Sequence, residues 1–245
     1  MTDTAATEPL AIEIWSDVVC PWCYIGKRRV EQALERTGIP AEVRFRSFQL
    51  DPTAPRPGEP GHGESMRDVL GRKYGGNGAQ MHQQVTDIAA GDGLEYHLDL
   101  TRNGNTGDAH RLLHLAVEHS LQQTLKERLM KAYFTEGRDV SDPEVLRTLA
   151  TEAGLPADRV DAVLTTDAYA AEVAADIAQA RAYGANGVPF TVVDGRYGVS
   201  GAQPLEVFEQ TLRRAAADRA PITLVGAGES GATCDDSGCE IPPSR

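Results

Sequence analysis

The stretch IWSDVVCPWCYIG, residues 14–26, constrains this chain more than any other. It joins an apolar alternating run, residues 10–15, to a helical run through Cys20 and Cys23. Ser16 and Asp17 break the first run. Pro21 suits the first helical position, where a missing N–H costs nothing. The spacing predicts a helix over residues 22–36, with Ile25, Val30, Ala33 and Leu34 turned partly inward and Gly38 and Pro40 ending it. Residues 41–50 alternate again around Val43, Phe45 and Phe48 and read as a second strand. The cysteines therefore sit at a helix N-terminus between two strands.

That position suits redox chemistry. Disulfide exchange needs a thiolate and a second thiol able to close on it. The unpaired N–H groups and positive dipole end of a helix start favour a thiolate at Cys20, so its pKa is expected to fall. Cys23, one turn deeper, is placed to resolve a mixed disulfide. Trp22 brings no charge to the sulfur, unlike a histidine there, which predicts a less oxidising centre. Its apolar face can meet a partner. Two other readings stay open: a zinc site completed by Cys234 and Cys239, and a purely structural bridge.

Residues 51–63 hold four prolines and three glycines and read as a loop. Helical spacing dominates residues 64–184. Strand character returns at residues 188–193, Asp194-Gly195 signals a two-residue hairpin, residues 196–200 answer as a strand, and a last helix spans residues 204–218. A β-α-β half and a β-β-α half thus enclose a helical region. The order fits an α/β thioredoxin-like fold with a large all-helical insertion; an unrelated α/β protein has the same pattern. The expected division is residues 8–55 and 185–220 for the thioredoxin-like domain, 56–184 for the insertion, and 221–245 for a mobile Gly-, Ser- and Pro-rich tail. Thioredoxin folds hold a cis-proline beside the active cysteines at the place of Pro189, with neighbouring backbone that pairs with a substrate peptide. Val188–Pro189 is therefore expected to be cis.

Bulk properties narrow the function classes. The formal net charge of −12 argues against nucleic acid and anionic membrane surfaces. No apolar stretch approaches the ~20 residues that span a bilayer, and the N-terminus lacks a secretory pattern. The expected location is cytoplasmic, where a close cysteine pair is catalytic or metal-binding more often than structural.

Three segments, SDVVCPWCYIGKRR (16–29), NTGDAHRL (105–112) and GANGVPFTVVDGRYGVSGAQP (184–204), together with the helical region between them, resemble the DsbA-like branch of the thioredoxin superfamily, and within it the FrnE-like oxidoreductases. The resemblance implies thiol–disulfide exchange on a protein or small-molecule disulfide, with Cys20 attacking, Cys23 resolving and Pro189 beside them. Trp22, Val188, His110 and Asn105 are the expected substrate contacts. The same fold group includes glutathione-dependent 2-hydroxychromene-2-carboxylate isomerases and kappa-class glutathione transferases, which typically have serine at the place of Cys20. Both cysteines are present here, which favours exchange. Asn105, Thr106, His110 and Arg111 resemble a segment of that second branch, so an isomerase or transferase using glutathione as co-substrate is the alternative. No resident cofactor or metal is expected. His110 has two readings: it faces Cys20 and stabilises its thiolate, or it packs structurally within the insertion.

The tail carries a second pair, Cys234 and Cys239, among Asp235, Asp236 and Glu240. Negative neighbours disfavour thiolates. The pair reads as a secondary redox relay, a metal ligand pair, or inert.

Overall fold

The computed structural model describes residues 8–74, 78–219, 234–235 and 238–239. Strands β1 (Leu10–Ser16), β2 (Ala41–Ser47), β3 (Phe190–Val193) and β4 (Tyr197–Ser200) form one mixed sheet in the order β2-β1-β3-β4. β1 runs parallel to β2 and antiparallel to β3, and β3 pairs antiparallel with β4. Helix α1 (Pro21–Thr37) is the crossover between the parallel strands, as a parallel pair requires. Leu10, Ile12 and Ile14 alternate to one face and pack with Val30 and Ala33 of α1 and Phe208 and Leu212 of α9 (Leu205–Ala217). Trp15 points to the other face, against Ala180 and Val192, and its Nε1–H donates to the Asp176 carbonyl at 2.8 Å.

Local chemistry sets the boundaries. Gly38 stops α1 at a left-handed φ of 64° and donates to the Leu34 carbonyl. Asp194 and Gly195 both take positive φ, 58° and 64°, which a two-residue hairpin turn demands. β2 is shorter than its alternation predicts: it ends at Ser47, and the Leu50 N–H instead donates to the Asp17 carboxylate at 2.8 Å. The outer edge of β2 is closed by side chains. Gln122 pairs with both the N–H and the C=O of Phe45, and Asp176 accepts from the Ser47 N–H, which blunts the edge against pairing with another chain.

Among the described residues, seven helices lie between β2 and β3: α2 (Met66–Tyr74), α3 (Gly78–Gly91), α4 (Gly107–Glu118), α5 (Gln122–Phe134), α6 (Pro143–Glu152), α7 (Ala157–Thr165) and α8 (Ala170–Ala182). The expected helical run is broken over residues 92–106, after Gly91 and at Gly93. This irregular segment is still core. Tyr96 stacks on Tyr24 and Phe134, and its hydroxyl donates to the Pro21 carbonyl at 2.8 Å, tying the insertion to the first turn of α1. Arg111 locks α4 to the end of α7 by donating to the carbonyls of Val163, Thr166 and Ala168. In the tail, β5 (Cys234–Asp235) and β6 (Gly238–Cys239) pair antiparallel with Cys234 opposite Cys239. The two thiols and the expected mobility of the tail lie outside the described residues.

Candidate active site

Cys20 caps α1 from an extended conformation, with Pro21 at the first helical position. The Cys23 N–H donates to the Cys20 carbonyl at 3.0 Å, so the turn that opens the helix also sets the cysteine spacing. Both are free thiols and come within 3.4 Å of each other. They are deeply buried, at 3% and 0% exposure. The Cys20 thiol donates to the Val188 carbonyl at 3.7 Å, and the Val188–Pro189 bond is cis. Gly26 makes this approach possible: a Cβ there would lie 2.9 Å from Pro189 Cγ. Positions 20, 23 and 26 thus form one helical stripe facing the cis-proline loop. Trp22, off that stripe, is 41% exposed.

The thiol electrostatics differ from the sequence expectation. The Cys20 pKa rises instead of falling. The adjacent Cys23 sulfur and burial push it well up, the Asp17 charge adds to them, and only the Cys23 N–H pulls the other way. The helix start is present, but it is dry and has a carboxylate beside it, and desolvation acts against the charged form.

Asp17, fully buried, organises the surroundings. Burial raises its carboxyl, but the His110 hydrogen bond, the Leu50 N–H and the Lys126 charge together hold it below the usual range. His110 Nε2–H donates to Asp17 Oδ1 at 3.3 Å. Burial lowers the His110 pKa further than Asp17 restores it, so the ring is neutral, and its Nδ1 has no partner. His110 is thus bound to Asp17, whose charge acts on Cys20. Lys126 of α5 completes the group. Its ammonium lies within electrostatic reach of Cys23, Asp17 and Cys20, and burial lowers its pKa to about 8. Nζ donates to the Ser16 carbonyl at 3.4 Å and lies 5.5 Å from the centre of the Phe45 ring.

Asn105 is engaged within the fold. Its amide donates to the carbonyls of Pro52 and Ala54, and its Oδ1 accepts from Gln49 and the Gly107 N–H. Every polar atom of the side chain is spent holding loop 51–55 against α4. Among the described residues no group of three or more His, Cys, Asp or Glu is arranged to hold a metal ion; the Cys234 and Cys239 thiols of the zinc alternative lie outside them. No helix among them is long and apolar enough to cross a membrane.

Asp17 and Lys126 were not singled out from sequence. Lys126 carried a signal: with Gln122, Leu125, Leu129, Met130 and Tyr133 it falls on one buried helical stripe, where a lysine is out of place.

A family model for the DSBA-like thioredoxin domain matches residues 11–213. The structure matches that of a probable DsbA oxidoreductase from Streptomyces coelicolor with a TM-score of 0.79 and 42% identity, over 96% of this chain and 100% of that one. It matches the cytosolic disulfide reductase DsbM of Pseudomonas aeruginosa, solved with GSH, with a TM-score of 0.59 and 18% identity, over 84% of this chain and 99% of that one. The second likeness is one of fold. The Bacillus subtilis protein YwbO, itself uncharacterized, is 26% identical over 159 residues, 64% of this chain and 73% of that one.

Proposed function

The chain belongs to the DSBA-like thioredoxin domain family, whose members are disulfide oxidoreductases or isomerases, and we propose that it reduces or isomerises disulfides through Cys20 and Cys23. In this reading the Cys20 thiolate attacks a substrate disulfide R–S–S–R′, forming Cys20–S–S–R and releasing R′S⁻. Cys23, as thiolate, then attacks the Cys20 sulfur and releases RS⁻. Two thiols of the enzyme become one disulfide, and two protons pass to the leaving sulfurs. Lys126 holds positive charge beside both sulfurs and takes the Cys23 proton when its own amine is neutral. Asp17, oriented by His110, keeps that lysine charged at neutral pH. Trp22 and the Val188 carbonyl flank the incoming substrate.

The paired thiols at the start of α1 beside the cis Val188–Pro189 bond carry the reading, and the raised Cys20 pKa bears on its direction. A CxxC protein is a strong oxidant when its reduced thiolate is stabilised. Here Cys23 and burial act against the thiolate, so the stabilised reduced form that makes such a pair a strong oxidant is lacking, and a reducing or isomerising role fits better. The likeness to a cytosolic reductase and the scarcity of cysteine support a reducing compartment such as the cytoplasm. The cysteine at position 20 favours this reading over a glutathione-dependent isomerase or transferase. The Cys234/Cys239 pair, opposite each other in its ladder, is a candidate relay to Cys20/Cys23.

Trapping separates the roles. Cys23→Ser should accumulate a mixed disulfide at Cys20 when mixed with a substrate disulfide, and Cys20→Ser should form none. A stable adduct in Cys20→Ser, or exchange that persists without Cys20, would refute the assignment of the nucleophile.

A further inference from the structure

Beside the cysteines lies a cavity of ≈ 820 Å³, walled by the loop around Leu50, by Trp22, by Val69 and Leu70 of α2, by Ile88 of α3, and by Phe134 at the end of α5. That volume is within the range of small-molecule sites, about 300–1,000 Å³. Its mouth carries an apolar collar: Leu50, Met81 and Ile88 are 49%, 52% and 36% exposed. Asp17, Thr101 and Thr106 form a polar end. Thr106 caps α4 without giving its hydroxyl to the helix, so that oxygen is available to a ligand.

The surroundings discriminate between substrates. Cys20 has almost no exposed surface. Val19, Pro21 and Trp22, which flank Cys20 in sequence, all line the cavity. The cavity therefore abuts the turn that carries the cysteines, and its lining is mostly apolar. Asp17, Asp51 and Asp87 face the space against Lys73. Burial and Arg67 lower the pKa of His82, also in the lining, and keep it neutral. In a chain of net charge −12 this balance disfavours anionic ligands.

We infer that the cavity is the substrate site, and that the substrate is an uncharged, apolar, low-molecular-weight disulfide and not an anionic one. This rests on the exchange reaction proposed above. The bond that breaks is the substrate S–S bond. The bond that forms in its place is the Cys20–Cys23 disulfide, with two electrons passing from the enzyme dithiol to the substrate.

Two readouts keep the cavity and the chemistry apart. In the Cys20→Ser/Cys23→Ser protein, the neutral aromatic dye N-phenyl-1-naphthylamine should bind with enhanced fluorescence and be displaced by diphenyl disulfide. Val69→Trp, which fills the cavity, should weaken dye binding by about tenfold. Leu50→Asp, a change at the exposed mouth that leaves the core alone, should weaken it in the same direction. In single turnover, the reduced protein should react about tenfold faster with diphenyl disulfide than with hydroxyethyl disulfide of equal concentration, after correction for their rates with free dithiothreitol. Val69→Trp should collapse that ratio. Absence of dye binding, binding indifferent to both variants, or equal corrected rates for the two disulfides would overturn the inference. Intact dye binding with no reaction toward either disulfide would overturn the exchange reaction itself, and this assignment of substrate with it.

Discussion

Replacing Lys126 with methionine should stabilise the protein and slow its chemistry. The Lys126 side chain is fully buried, and its pKa falls from 10.5 to about 8. At about 1.4 kcal/mol for each tenfold change in proton affinity, holding it charged costs the folded state about 3 kcal/mol at pH 7. Methionine fills a similar volume without a charge. It forfeits the long hydrogen bond to the Ser16 carbonyl and the approach to the Phe45 ring, and it removes a favourable neighbour of Asp17. A net gain of about 1–3 kcal/mol remains. The pH dependence fixes the cause. A lysine whose folded pKa is depressed penalises folding fully below pH 8, and the penalty fades as pH rises toward 10.5. Urea unfolding at pH 7 and pH 9.5 should therefore show the advantage of the variant shrinking at the higher pH. Stopped-flow resolution of a mixed disulfide at Cys20 should be at least about 100-fold slower, the lower end of general acid–base effects. Its pH profile should lose an inflection near 8. A variant less stable at pH 7, an advantage constant with pH, or an unchanged profile would refute the buried-charge account.

Three further outcomes follow from the site. Gly26→Ala forces a Cβ to 2.9 Å from Pro189 and should cost about 1–3 kcal/mol by overpacking, read by thermal or urea melts, with slower exchange because the cis-proline loop is displaced from Cys20. Iodoacetamide should modify Cys20 with a rate still climbing above pH 9, as its raised pKa requires; a plateau below pH 7 would restore the expectation of an activated thiolate. Asp17 and Asp176 both have lowered pKa values, each against the opposing effect of burial. Their stabilisation is present above their unfolded value of 3.8 and is lost as pH falls through the folded values. Unfolding free energy should drop steeply below pH 4, and Asp176→Asn should flatten part of that drop.

Much of this was legible in the chain. The two halves of the sheet were marked by alternation, the cysteine helix by Pro21 and Gly38, and the hairpin by Asp194-Gly195, because each rests on local backbone rules. The break over residues 92–106 was missed, although Gly91, Gly93 and the period-two spacing of Leu94, Tyr96 and Leu98 argue against a helix there. The end of β2 was not legible, since it depends on a bond from Leu50 to a carboxylate far away in sequence. At the site, sequence placed the cysteines and the cis-proline but had the Cys20 pKa moving the wrong way. That sign is set by Cys23, by burial and by Asp17 brought together in three dimensions. His110 and Asn105 were noticed for a shared segment, yet one acts through Asp17 and the other ties down a loop. The cavity has no local signature, because its walls come from six separate stretches of chain.

The central claim is that Cys20 and Cys23 form a reversible, reducing dithiol. We would titrate Trp22 fluorescence against glutathione redox buffers in a protein carrying Cys234→Ser and Cys239→Ser. The account predicts a two-electron transition with a midpoint nearer thioredoxin's, about −270 mV, than DsbA's, about −120 mV. A midpoint near −120 mV would contradict the reducing direction, and the lack of any reversible transition would contradict the redox centre itself.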